Sequence, residues 1–375
     1  MTMNKPLFDK FVYDPKIIEL EAYQAIKTKY CQRLLMSGRL AGTTGPFVEP
    51  EVFFGLTYPD ETVELMNTHF GKIEDDSIDP AYQNSDTMIG AGVLTDRIIS
   101  DEIALPLVFK PNNGALGDGI YFLERGSDGE IIVTTGLCEG SISRTDTGIL
   151  HYLMNSDGST QVDAGNPNIF QAIIDDPERL FSMFAYGAVL SMPYEREDVV
   201  SGKKIVAPGI FDSGMVESFV NCWKVDGMCY ETRHRVFGNV ATGKMSGIKY
   251  DYARIGGSNW FSNNNGIIGA RRLSGSFEKM FAPLLNEFVL GSQERKGFEK
   301  YVSGLLTDAF LCYGNSLRGE GFIFDHNDSS LEFDLMWMPP KDGGYPVPFL
   351  TECSFSYRNP DMAAEIPSKL RFQKN

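Results

Sequence analysis

The residues of this chain best placed to do chemistry are one ammonium, two guanidiniums and two carboxylates. Lys110 closes the apolar run Leu105–Phe109 and is followed by Pro111 and the loop Asn112–Gly119, which holds three glycines and two asparagines in eight positions. Glycines let backbone N–H groups turn toward a phosphate without Cβ interference, and a neighbouring Lys adds a point charge. A Walker loop would put its Lys after the glycines, and both it and a dinucleotide fingerprint would open a helix. Here the Lys comes first, and the apolar stretch Ile120–Leu123 reads as a strand. Further along, Asp334 and Glu352 lie in two apolar runs, Leu331–Met338 and Val347–Ser354, joined by the turn Asp342-Gly343-Gly344. An antiparallel hairpin over this stretch brings the two acids near each other, on one sheet face if the register agrees. Two carboxylates on an apolar wall need a cation between them, and a hard divalent ion that also bridges nucleotide phosphates suits oxygen ligands. Ser354 follows two residues after Glu352 and offers a hydroxyl.

The two guanidiniums sit on the run Met228–Phe237, which joins Met215–Trp223 through Val225-Asp226-Gly227, a hairpin signal. Arg233 and Arg235 are two residues apart and share a strand face, whereas His234 points the other way. Such a pair suits a carboxylate or a phosphoryl group. The four histidines stand in unrelated contexts and read as structural, and no Ser-His-Asp or Cys-His arrangement is visible.

The remaining elements read as an α/β (α+β) chain. Pro15–Met36, Asp60–His69, Asn166–Tyr186 and Phe277–Tyr313 carry helical periodicity, with Gly291 separating two helices in the last. Val48–Leu56, Glu130–Thr135 and Ala188–Met192 read as extended. Ser85–Ile99, with Gly90 and Gly92, has no firm pattern. A length of 375 residues is enough for two or three domains. The net charge of -16 argues against a nucleic-acid or anionic-membrane partner, both of which need excess Lys and Arg. Six scattered cysteines without a C-x-x-C pair fit reduced thiols. With no apolar leader or membrane-length run, a cytoplasmic location is expected. The 16 Tyr and 26 Phe suffice for a core and for a homodimer interface as well.

The order K-P-x-x-G-x-x-G-x-G-I over 110–120, followed by an acidic hairpin ending in Glu352-Cys353-Ser354, resembles the ATP-grasp superfamily of Mg-ATP-dependent ligases. The resemblance spans roughly 100–360. It implies two α+β subdomains enclosing the nucleotide, over 101–195 and 196–375, behind an N-terminal domain over 1–100. No βαβ unit, the family's usual start, is readable in that first part. The family's metal hairpin ends Glu-x-Asn; here the last residue is Ser354, with Asn359 as a substitute ligand. The resemblance implies that Lys110, Asn113, Gly114, Gly117 and Gly119 contact ATP, and that Met192, Tyr194 and Glu195 form the adenine hinge. Asp334, Glu352 and Ser354 would hold Mg²⁺, and Arg235, with Arg233 second, would face the transferred phosphate. The implied activity is ligation of a carboxylate, through an acyl phosphate, to the amine of an amino acid or peptide. A small-molecule kinase and a non-catalytic nucleotide-binding protein are the alternatives.

Overall fold

The computed structural model describes residues 29–38, 41–54, 86–111, 120–136, 160–161, 169–189, 195–197, 204–206, 214–240, 242–256, 271–289, 291–319, 329–341 and 343–357. These form an α+β structure built on two antiparallel sheets.

The first sheet has seven strands in the order β1-β9-β2-β3-β4-β6-β5. They are β1 (Val52–Phe54), β2 (Leu107–Pro111), β3 (Tyr121–Arg125), β4 (Ile131–Gly136), β5 (Thr160–Gln161), β6 (Ile169–Ile174) and β9 (Gly214–Ser218). A separate pair is formed by β7 (Glu195–Glu197) and β8 (Lys204–Val206). Along β2 the side chains alternate: Leu107 and Phe109 are buried, while Val108 and Lys110 face the opposite side. The buried set packs against α2 (Asp86–Ile99) and α3 (Pro177–Val189), which cover this sheet, whereas α1 (Lys29–Met36) lies against β15 (Val347–Tyr357) of the second. Leu94, Ile98, Leu180 and Phe184 meet Leu107, Phe109, Tyr121 and Val133 in one core. Gly214 is required at its place, because a Cβ there would lie 2.3 Å from the Phe109 ring.

The second sheet runs β13-β12-β11-β14-β15, with β10 paired to the start of β11. Its strands are β10 (Lys224–Val225), β11 (Met228–Asn239), β12 (Lys244–Ile255), β13 (Arg271–Leu273), β14 (Ser329–Met338) and β15 (Val347–Tyr357). The β10–β11 turn has Asp226 at φ 52° and Gly227 at φ 78°, the left-handed pair that a tight two-residue hairpin demands. Two helices, α4 (Phe277–Phe288) and α5 (Ser292–Gly319), cover one face. Ser276 caps α4 by accepting from the Lys279 N–H. The core beneath is strongly aromatic: Phe281 packs edge-on to Trp337 at 5.3 Å and stacks on His234 at 5.6 Å.

The segment following α1 ties the sheets together. Val48 forms a parallel bridge with Phe349 of β15, and a few residues later the same chain enters the first sheet as β1 beside β9.

Two helical readings change. Residues 169–174, expected inside a helix, form β6, and the helix begins only at Pro177, a favoured first-turn position. Ala188, expected in a strand, lies in the last turn of that helix. The unpatterned stretch 85–99 is helical from Asp86 onward. The expected helix over 60–69 falls outside the described residues.

Candidate functional site

The faces of the two sheets that carry no helices line a common cleft of about 110 Å³. The first sheet contributes Val108, Lys110, Phe122 and Glu217; the second contributes Glu231, Asp334, Met336 and Glu352. Lys110 reaches the cleft because residues 108 and 110 of β2 point away from the helices. Its ammonium donates to Glu217 Oε2 at 2.8 Å and to the Thr351 carbonyl at 3.1 Å, so one strand of each sheet is bound by a single side chain. An ammonium has three donors, and the third has no acceptor among the described residues.

Glu217 is almost fully buried, at 4% exposure, and is also held by Arg33 of α1, whose Nε donates to Oε1 at 2.9 Å. The Arg33 fork continues to the Leu350 carbonyl at 2.6 Å and the Thr351 carbonyl at 2.8 Å. Burial alone would raise the Glu217 carboxyl, but the charges of Arg33 and Lys110 hold it below its ordinary value.

On the second sheet, Asp334 and Glu352 are direct cross-strand partners, as the hairpin reading expected. Arg233 lies opposite Asp334 on the next strand and grips it with two hydrogen bonds, the one from Nε being 2.6 Å. Arg254 adds a contact of 3.3 Å to Asp334 and one of 2.6 Å to Glu231. Burial, then the charge of Glu231, push Asp334 up to about 7, against the pull of Arg233. Glu352 moves the other way: burial raises it, but Lys29, Arg233, Lys110 and Arg33 bring it below its ordinary value. Lys29 stands 3.7 Å from it. Arg235 shares the face with Arg233 and pairs with Glu332 at 2.8 Å and Asp251 at 3.5 Å. Ser354 lies opposite Glu332, two cross-strand pairs beyond Glu352 and on the same face.

The structure therefore brings Lys110, Arg233, Asp334 and Glu352 to one site, with Arg235 and Ser354 adjoining on the same sheet face. Asn113, Gly114, Gly117, Gly119, Met192, Tyr194 and Asn359 lie outside the described residues, as does the side chain of Glu195, whose backbone opens β7. Arg33, Glu217, Glu231, Arg254 and Lys29 were missed by sequence reasoning. Glu217 and Glu231 are single acids within otherwise apolar or mixed strands, and that interruption was the available signal. Arg33 is hidden in a helix whose apolar stripe gives no hint that its charge is used.

The donor set suits Mg²⁺, which typically takes one or two carboxylates and completes its shell with phosphate oxygens and water. Asp334 and Glu352 stand as two carboxylates on adjacent strands, and a cation bound to Asp334 would have to displace the Arg233 contacts that occupy both its oxygens. Among the described residues no group of three or more His, Cys, Asp or Glu surrounds a metal position. A cation here would therefore rely on a ligand's oxygens for much of its shell.

No family model matches the chain, and no curated protein matches it. Among solved structures, a similar one is the biotin carboxylase domain dimer of the Hydrogenobacter thermophilus 2-oxoglutarate carboxylase, in complex with MgADP, ADP and bicarbonate. The identity is 11% and the TM-score 0.35, over 94% of this chain and 46% of that one. The chain thus spans about half the length of that protein. Among the described residues no helix is long and apolar enough to cross a membrane.

Proposed function

We propose that this chain is a Mg-ATP-dependent ligase of ATP-grasp type, joining a carboxylate to an amine with release of ADP and phosphate. The observation that carries the reading is convergence: Lys110 and the Asp334/Glu352 hairpin, separated by more than two hundred residues, meet in one cleft, with Lys110 bonded to the residue next to Glu352. The divisions 1–100, 101–195 and 196–375 belong to the same proposal, as do a cytoplasmic location and a homodimer.

In this reading, Lys110 and the loop over 112–119 hold the phosphates, and residues 192–195 receive the adenine. Asp334 and Glu352, with Ser354, would hold Mg²⁺, which would supply positive charge beside the phosphates. Arg235 and Arg233 face the phosphoryl group as it moves from ATP to an oxygen of the substrate carboxylate. ADP leaves, the amine attacks the acyl carbon, and phosphate departs. The protein's share is orientation and charge neutralisation, which suffice for phosphoryl transfer. A second reading, nucleotide binding without turnover, is favoured by the grip of Arg233 on both Asp334 oxygens and by Ser354 in place of Asn.

Calorimetric titration with ADP, with and without Mg²⁺, tests the site on the wild type and on Lys110→Ala. Magnesium-dependent binding should weaken about 10- to 100-fold in the variant, the worth of a charge-assisted contact. No binding of ADP to the wild type overturns the proposal. With acid and amine supplied together, a ligase releases phosphate only when both are present, whereas a kinase yields a phosphorylated product from one acceptor. Full turnover by Glu352→Ala would rule out the metal role.

A further inference from the structure

The charged face of the second sheet is graded. Its register places Tyr252, Arg233, Asp334 and Glu352 in one cross-strand row and Arg272, Arg254, Glu231 and Met336 in the next. Glu332, Asp334 and Glu352 lie on β14 and β15 and the guanidiniums on β11, β12 and β13, where the acids Glu231 and Asp251 are already paired with Arg254 and Arg235. Arg233 and Arg254 are matched by the carboxylates already described. Arg272 is not: it makes no ion pair with any described residue, although Arg254 is its direct cross-strand partner. Like charges directly opposite one another are destabilising in a sheet.

What holds Arg272 there is the ring of Tyr252. The Arg272 guanidinium lies 3.7 Å from the ring centroid, and those of Arg254 and Arg233 lie 5.2 and 5.5 Å away. Three cations thus share one aromatic ring. Cation–π attraction fixes their positions, yet it leaves the Arg272 fork, five donors on an exposed side chain, without an acidic acceptor among the described residues. An oxyanion placed against Arg272 and its neighbours would turn the repulsive pair into charge-assisted hydrogen bonds.

We infer that Arg272, stacked on Tyr252 beside Arg254, is an anion-binding subsite at the β12–β13 end of the cleft face, and that it takes the carboxylate or phosphate group of an acidic acceptor substrate. The assignment to an acceptor rests on the ligase reading; the binding of an oxyanion does not. The subsite selects for a substrate carrying an acidic group away from the reacting one. In that row the nearest acid, Glu231, is already paired with Arg254 at 2.6 Å, and the acids of β14 and β15 lie further across the sheet.

The test titrates inorganic phosphate and, separately, succinate into the wild type and into Arg272→Ala, by calorimetry without nucleotide or Mg²⁺. Arg272 is exposed, so the variant should fold with an unchanged unfolding midpoint. At least one anion should bind the wild type and lose about 10-fold or more in the variant, while Mg-ADP titrates equally into both. The tighter of the two anions identifies the group recognised. Equal binding to both proteins, or no binding of either anion to the wild type, overturns the subsite. If Mg-ADP fails to bind the wild type while the Arg272-dependent anion binding persists, the subsite stands and the ligase reading falls.

Discussion

The two faces of the second sheet are made by alternate residues of the same strands, and they solve opposite problems. On β11, Thr232, His234 and Val236 turn toward α4 and α5, whereas Glu231, Arg233 and Arg235 turn toward the cleft. The helix side contains polar atoms too, but keeps them neutral. Trp337 Nε1 donates to Thr232 Oγ1 at 2.8 Å, and His234 Nε2 lies 2.8 Å from the same oxygen. If Nε2 carries the proton, both ring N–H groups donate to Thr232, whose own hydroxyl reaches the Leu335 carbonyl at 3.4 Å, and every donor is used. The cleft side keeps full charges and shares each among several partners. Neutral satisfaction makes a face that is costly to disturb, whereas shared charge makes one that can exchange a partner for a ligand.

The sharpest way to separate the faces is Trp337→Ala. It removes a fully buried ring and one hydrogen bond, and should cost about 3–5 kcal/mol in chemical denaturation. Asp334→Ala is expected to cost less, about 1–3 kcal/mol. Arg233 still has Glu332 at 3.7 Å and Arg254 still has Glu231 at 2.6 Å. In the ligase reading the same variant loses the Mg²⁺ dependence of ADP binding. A larger stability loss for Asp334→Ala than for Trp337→Ala would erase the distinction.

His234 gives the helix side a pH signature. Burial lowers its pKa to about 3 from an ordinary value of 6.5. Between those values the unfolded chain binds a proton that the folded chain does not. Stability from this residue is therefore intact above pH 6.5 and falls by about 1.4 kcal/mol for each pH unit below it, reaching about 2 kcal/mol at pH 5. Denaturation of wild type and His234→Phe at pH 7 and 5 should show this part of the acid loss only in the wild type. The smallest effect belongs to Arg235→Ala. Its side chain is one-third exposed, and its loss should change stability by about 1 kcal/mol or less. In the ligase reading, turnover measured by phosphate release is where that variant should show.

Much of the cleft side was legible because alternation and turn chemistry are local. The acidic hairpin, the shared face of Arg233 and Arg235, and the inward turn of His234 follow from a period of two and from glycine-bearing turns. Lys110 was marked by the proline and glycines behind it. Partners set by register across distant segments were not legible: Glu217 with Arg33, or Arg254 with Arg272, exist only once strands are aligned. The strand over 169–174 was misread because a short apolar run has no period to distinguish it from a buried helix. The helix over 86–99 was obscured by Gly90 and Gly92, whose low propensity is outweighed by packing against α3.

Residues 48–54 leave one sheet and join the other, and Arg33 clasps Glu217 of the first while holding two carbonyls of the second. Drawing β9 away from β15 would therefore strip the buried Glu217 carboxylate of a cation that also holds the second sheet. Contacts of this kind couple the unfolding of one sheet to that of the other, and they tie the two walls of the cleft together at one end.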